Sequence, residues 1–118
     1  MSDITQEQLR QACERGDYAL LLASIPYARL IGVECSRQGE ELLFHLPANK
    51  DNIGNPLLPA IHGGVIAGFM ELSAAVYLLI ATRATGVPKI IDFSLDYLRA
   101  GQFRDTFARC QVWRQGRR

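Results

Sequence analysis

The 118-residue chain is poor in cysteine, in net charge and in the short motifs that announce the commoner enzyme classes. Its three cysteines, Cys13, Cys35 and Cys110, are odd in number and widely spaced, which suggests neither a disulfide framework nor a metal knuckle and fits reduced thiols in a cytoplasm. Two lone histidines, His45 and His62, add no metal-ligand spacing. Thirteen basic and twelve acidic residues leave a formal charge of +1, which argues against a dedicated nucleic-acid or membrane-surface protein. There is no Gly-x-Ser-x-Gly elbow, no phosphate loop and no dinucleotide fingerprint, so several enzyme classes are weakened. Met1-Ser2-Asp3 lacks the basic-then-apolar layout of a secretion signal. A cytoplasmic location is the expectation.

What is there suits one compact domain. Hydrophobic residues make up 48% of the chain, and at this length the core is small enough to benefit from a partner. Charge gathers only toward the C-terminal end, at Arg99, Arg104, Arg109, Arg114, Arg117 and Arg118. Such a cluster serves either a phosphate-bearing ligand or a solvated edge, and the solvated edge is the commoner case.

Local signals set the order of elements. Thr5 with Gln8 reads as a capping box, and Ile4 with Leu9 as its hydrophobic staple, so a short helix begins there. After Gly16, Asp17 caps a second apolar turn through Leu22, which Pro26 is expected to end. The period then changes: Ile31 to Arg37, a Gln38-Gly39 turn and the alternating Leu42, Phe44 and Leu46 predict a hairpin. Asn49 to Pro59 is a turn-rich loop leading to a long helix that Gly86 and Pro88 stop. Beyond it, Ile91, Phe93, Leu95 and Tyr97 alternate with polar residues, and Thr106 to Arg114 carries strand formers, predicting two more strands. The simplest packing is α+β, an antiparallel sheet curled around one central helix of about residues 61–85.

The central helix holds the chemistry. His62-Gly63-Gly64 opens an apolar run from Val65 to Thr82 whose only charged residue is Glu71. An unpaired carboxylate buried in such a helix is costly, so it needs a functional or a pairing reason. Ile61 to Thr82 is long enough to span a bilayer, but Glu71 in its middle and His62 with two glycines at its start favour a core helix. Gly63 and Gly64 leave backbone N–H groups unobstructed at a helix start, which suits a carbonyl oxygen or an anion. Ala67, Gly68, Ala74 and Ala75 surround Glu71 at spacings of three and four, leaving room either for a substrate or for a closely packed neighbour. Eight residues at ~1.5 Å rise put Glu71 roughly 12 Å from Gly63, too far for both to reach one carbonyl group. Two helices packed antiparallel across a dimer axis would bring the glycine end of one to the glutamate of the other. His62 is either a general base or, the favoured reading, an orienting hydrogen-bonder. His45, alternating within a strand, is structural or on the surface.

Asn55-Pro56-Leu57-Leu58-Pro59-Ala60-Ile61-His62-Gly63-Gly64 with Glu71 nine residues past the histidine resembles the hotdog-fold acyl-CoA thioesterases of the PaaI-like type. Asp92-Phe93-Ser94-Leu95-Asp96-Tyr97-Leu98-Arg99 is similar to the strand that follows the central helix in that family. The resemblance runs from about Pro26 onward. It implies a hotdog fold, an acyl- or aroyl-CoA substrate, no cofactor, and a homodimer or dimer of dimers. Gly63 would supply the N–H that polarises the thioester carbonyl. Glu71, acting from the other subunit, would be the nucleophile or the base that activates water. His62 and Asn55 would orient substrate or water, while Gly64, Arg99 and Arg104 would meet the coenzyme A moiety. Many members carry aspartate where Glu71 stands, and the glutamate form resembles the branch that includes some 4-hydroxybenzoyl-CoA thioesterases.

Family members continue past Gln115-Gly116-Arg117-Arg118 with a turn and at least one further strand, so residues 1–118 are expected to be a single hotdog domain truncated at its C-terminal end, the alternative being a lost strand that leaves a sheet edge unpaired. Two rivals keep the fold and change the function: a dehydratase or hydratase with His62 as principal base, and a non-catalytic acyl-CoA sensor. A sensor has no need of Glu71.

Overall fold

A computed structural model describes residues 4–83 and 88–116. The N-terminal third is helical. The capping box forms as expected, with Thr5 Oγ1 accepting from the Gln8 amide at 3.1 Å and Gln8 Oε1 accepting from the Thr5 amide at 2.9 Å. It starts α1, Gln6–Arg15, and Ile4 packs on a small cluster of Leu9, Ala12, Leu21 and Leu79. Asp17 accepts from the Leu20 amide and caps α2, Tyr18–Ala23. Pro26 does not end α2. It begins a third helix, α3, Pro26–Ile31, because proline at the first helical position gives up an amide that has no intrahelical partner anyway.

Ile31 is therefore a buried helical residue, and the hairpin starts later than expected. Strand β1, Glu34–Gln38, pairs antiparallel with β2, Glu41–Leu46, from Glu34 opposite His45 to Gln38 opposite Glu41. Gly39 turns the chain with φ of 64°, a left-handed value that favours glycine. Leu42, Phe44 and Leu46 are buried, as their alternation requires, against Phe69, Leu72 and Val76 of the long helix. Strand β5, Thr106–Ala108, closes the other side of β2, giving the order β1-β2-β5. A second ribbon, β3 (Ile53–Asn55) with β4 (Ala60–Ile61), follows a single 3-10 turn at Lys50–Asn52 and leads into α4, Gly63–Thr82.

Two strand expectations are corrected. Ile91 to Tyr97 makes no ladder among the described residues, and Ile91, Phe93, Tyr97 and Leu98 are exposed. Alternation specifies a chain with two unlike faces, but a ladder also needs a partner strand brought alongside in register, and the described residues bring none beside Ile91 to Tyr97. Only Thr106–Ala108 of the Thr106 to Arg114 segment is strand, although Cys110 stays packed on the core. The helix stop differs too. Arg83, with φ of 54°, takes the left-handed cap and bonds its N–H to the Leu79 carbonyl, while Gly86 and the expected last residues of the helix lie outside the described residues.

Candidate active site

The start of α4 is held from two sides. Asn52 is buried, its Nδ2 donating to the Ile31 carbonyl at 3.0 Å, and its own carbonyl accepts from the His62 amide at 2.8 Å. On the other side the Ile61 amide donates to Gly101 and the Phe103 amide to Pro59. His62 then caps the helix. Its Nδ1 accepts from the Gly64 amide at 2.9 Å, and its carbonyl accepts from Val65 and Ile66 at 2.9 and 3.1 Å. Helix starts leave several amides unpartnered, and here all but one are satisfied. Among the described residues the Gly63 N–H is the amide of this turn that has no acceptor.

Three glycines shape the space around His62, each differently. A Cβ on Gly54 would stand 2.8 Å from His62 Cα, and one on Gly64 2.9 Å from His62 Nδ1, so neither position has room for a side chain. A Cβ on Gly63 would first meet the Tyr97 hydroxyl and ring at 3.5–3.7 Å, an ordinary contact. Gly64 is thus the seat of the imidazole ring. Gly54 lets β3 run directly beside the histidine.

Glu71 lies on the same unbroken helix, eight residues beyond Gly63, which at ~1.5 Å per residue is about 12 Å along the axis. The chain does not bury it. Phe69, Leu72, Ser73, Ala75, Val76 and Leu79 form the buried stripe of α4, and Glu71 stands on the exposed side with Met70. The expectation of a carboxylate costly to its own core is therefore corrected: solvent reaches it in the single chain. Tyr27 fills the space over Gly68, one turn before Glu71, with its ring where a Cβ would sit. Asn55 is exposed on β3, its Oδ1 accepting from the Leu57 amide at 3.0 Å to shape the loop before β4. Arg99 and Arg104 are exposed on the segment that flanks β4, and no contact brings either to the Gly63 amide.

Three contributors escaped the sequence. Asn52 and Gly54 were signalled only as loop formers, and Tyr97 as one position of an alternating segment similar to the family's strand after the helix, with no role of its own. Tyr97 donates its hydroxyl to the Gly63 carbonyl at 2.6 Å.

The remaining titratable groups sit elsewhere. His45, half-buried on the sheet, stacks on Phe107 at 4.6 Å, with Nδ1 3.2 Å from Glu34 and Nε2 2.9 Å from Asp105. The Ala48 amide first, and His45 second, hold the Asp105 carboxyl below the usual range. Burial pushes the Cys35 thiol up to about 11 and raises Cys13 and Cys110 as well, so these cysteines are thiols, and poor nucleophiles, near neutrality. Among the described residues no group of three or more His, Cys, Asp or Glu is placed to hold a metal ion.

An antiparallel sheet packed on one long helix, entered through a bare-glycine first turn, defines a hotdog fold of the α+β class. The chain belongs to the thioesterase superfamily, whose family model matches residues 58–118. A solved structure of a protein from Chromobacterium violaceum is 37% identical, with a TM-score of 0.76 over 95% of this chain and 77% of that one. A second solved structure, of a protein from the thioesterase superfamily, shares the fold at 21% identity, with a TM-score of 0.75 over 93% of this chain and 79% of its own. No curated protein matches the chain.

Proposed function

We propose that the protein hydrolyses an acyl- or aroyl-CoA thioester to the free acid and coenzyme A, as a PaaI-like enzyme of the glutamate type. Membership of the thioesterase superfamily supports a CoA-thioester substrate. The observation that carries the reading is the uncommitted Gly63 N–H at the start of a 20-residue helix. A thioester carbonyl oxygen set against that amide gains a hydrogen bond that strengthens as negative charge develops, with the positive end of the helix behind it. Glu71 of a second copy then either draws a proton from a water that attacks the carbonyl carbon, with the coenzyme A thiolate leaving, or attacks that carbon itself, expelling the thiolate and forming a mixed anhydride that water then hydrolyses to the free acid. His62 and Asn55 orient substrate and water, and Gly64, Arg99 and Arg104 lie toward the coenzyme A moiety.

A homodimer, or a dimer of dimers, is part of this proposal. In its most apolar eighteen-residue window α4 is only 28% buried, so a face carrying Ala67, Met70, Glu71 and Ala74 is left for a neighbour. Antiparallel packing of two such faces places each Glu71 near the other copy's Gly63. The dehydratase alternative is less well supported, because His62 Nδ1 is already an acceptor for the Gly64 amide and Nε2 then carries the proton. The test is thiol release from a panel of short, medium, long and aromatic acyl-CoA thioesters by wild type and Glu71→Gln. The expected result is turnover of at least one substrate, with kcat lowered ~100-fold or more in the variant. No turnover of any member would point to a binding module.

A further inference from the structure

Two hydrogen bonds at the start of α4 share one peptide group. Tyr97 Oη donates to the Gly63 carbonyl at 2.6 Å, and the N–H on the other side of that same peptide, the Gly64 amide, donates to His62 Nδ1 at 2.9 Å. A carbonyl that accepts a strong hydrogen bond draws electron density from its own nitrogen and makes the attached N–H a better donor. The chain phenol, peptide, imidazole is therefore polarised in one direction. It ends on a ring nitrogen that must keep its lone pair in the plane to accept, which leaves the proton of the neutral imidazole on Nε2.

We infer that Tyr97 is a positioning residue that acts on His62 through the Gly63–Gly64 peptide, locking the imidazole in its Nε2–H form so that it meets the substrate as a hydrogen-bond donor and not as a base. The glycines are what make the relay possible. A Cβ on Gly64 would stand 2.9 Å from Nδ1 and 3.0 Å from Cε1, displacing the ring from the amide it caps, and a Cβ on Gly54 would crowd the opposite edge at Cδ2, 3.1 Å away. His62 itself is exposed, and among the described residues its Nε2 has no protein partner, so the donor faces open space. Tyr97 lies 34 residues from Gly63, in the extended segment after α4 that makes no ladder among the described residues. The phenol thus ties that segment to the helix start, alongside the backbone bonds that Gly101 and Phe103 make with Ile61 and Pro59. No proton leaves or arrives in this arrangement: the peptide and the ring are oriented and polarised, and their bonds stay intact.

The role assigned to His62 deepens the thioesterase reading and rests on it, but the state of the ring does not. The experiment is therefore run in two arms on wild type and Tyr97→Phe, which removes one oxygen and keeps the ring over Gly63. In the first arm, imidazole ¹⁵N shifts of His62 are read at a pH where the ring is neutral. Wild type is expected to show Nε2–H as the dominant form, and the variant, which keeps the bond from the Gly64 amide to Nδ1 and loses only its polarisation by the phenol, to lower the ratio of Nε2–H to Nδ1–H by up to about twofold. Gly64→Ala, which moves the ring itself, is expected to release the tautomer further and serves if Tyr97→Phe does not fold. An unchanged ratio in either variant, or an Nδ1–H ring in wild type, overturns the inference. In the second arm, kcat for the best acyl-CoA thioester is expected to fall by up to about twofold with KM unchanged, since an oriented donor acts on the reacting group. Wild-type turnover with an unaltered kcat in Tyr97→Phe overturns the functional part. A wild type that hydrolyses no thioester sinks the thioesterase reading instead, and the nitrogen shifts still decide the relay.

Discussion

Replacing Gly63 by valine separates the backbone role of that residue from any role in folding. A Cβ at this position meets nothing closer than the Tyr97 hydroxyl oxygen at 3.5 Å, an ordinary contact, and Gly63 is not among the residues with positive φ. The Cβ itself is thus accommodated, and the γ carbons of valine reach toward the Tyr97 ring, which is exposed and has room to shift, so the fold is expected to persist with thermal stability modestly lowered. On the thioesterase proposal, a branched side chain beside the Gly63 N–H crowds the approach of a thioester carbonyl to that amide. Losing an oxyanion donor costs ~3 kcal/mol of transition-state stabilisation, so kcat is expected to fall ~100-fold. Gly54→Ala is the contrast. Its Cβ would stand 2.8 Å from the His62 Cα, and since two backbones have to part to admit it, a loss of about 1–3 kcal/mol of stability is expected. The assay pairs thermal melting with thiol release from the best acyl-CoA substrate. A Gly63→Val protein that unfolds while Gly54→Ala does not would refute the steric reasoning. One that stays folded and hydrolyses at the wild-type rate would remove the oxyanion role and much of the thioesterase proposal.

If each site combines Gly63 of one copy with Glu71 of the other, mixing inactive Gly63→Val and Glu71→Gln proteins restores roughly a quarter of wild-type activity, because half of randomly formed dimers are mixed and each carries one intact site. No recovery after verified subunit exchange would place both residues in one chain's site. Charge reversal at both Arg99 and Arg104 is expected to raise KM for a CoA thioester far more than for a truncated pantetheine thioester, since only the former bears phosphates for guanidinium groups to hold. Equal effects on the two would refute the assignment. Asp105 predicts an acid limb in stability: its carboxyl is held below the ordinary range by the Ala48 amide and then by His45, so folding favours the ionised form. That contribution is complete above the unfolded-state aspartate range and is lost as pH falls through the lowered folded value. Denaturation midpoints of wild type and Asp105→Asn should converge on acidification, and a constant gap would show that the carboxylate contributes nothing pH-dependent.

Short-range chemistry was legible from the residues alone. The Thr5 and Gln8 box, the Asp17 cap and the inward face of Leu42, Phe44 and Leu46 all depend on neighbours within a few positions, and each forms as expected. So does the long helix after His62-Gly63-Gly64, because a glycine pair followed by an apolar run has few other solutions. Tertiary structure decided what depends on remote partners. Pro26 could equally end one helix or begin the next, and the packing of Ala28 and Ile31 into the core settled it. Ile91 to Tyr97 has the alternation of a strand, but a ladder needs a partner strand alongside in register, and folding brought none there among the described residues. Glu71 looked buried because its sequence neighbours are apolar, yet the direction of the buried stripe turned it outward. Which glycine seats the histidine, which one exposes an amide and which phenol steadies the turn are questions of distances between segments tens of residues apart. Periodicity carries no information about such distances, since they are set only when the hydrophobic faces that it specifies have found one another.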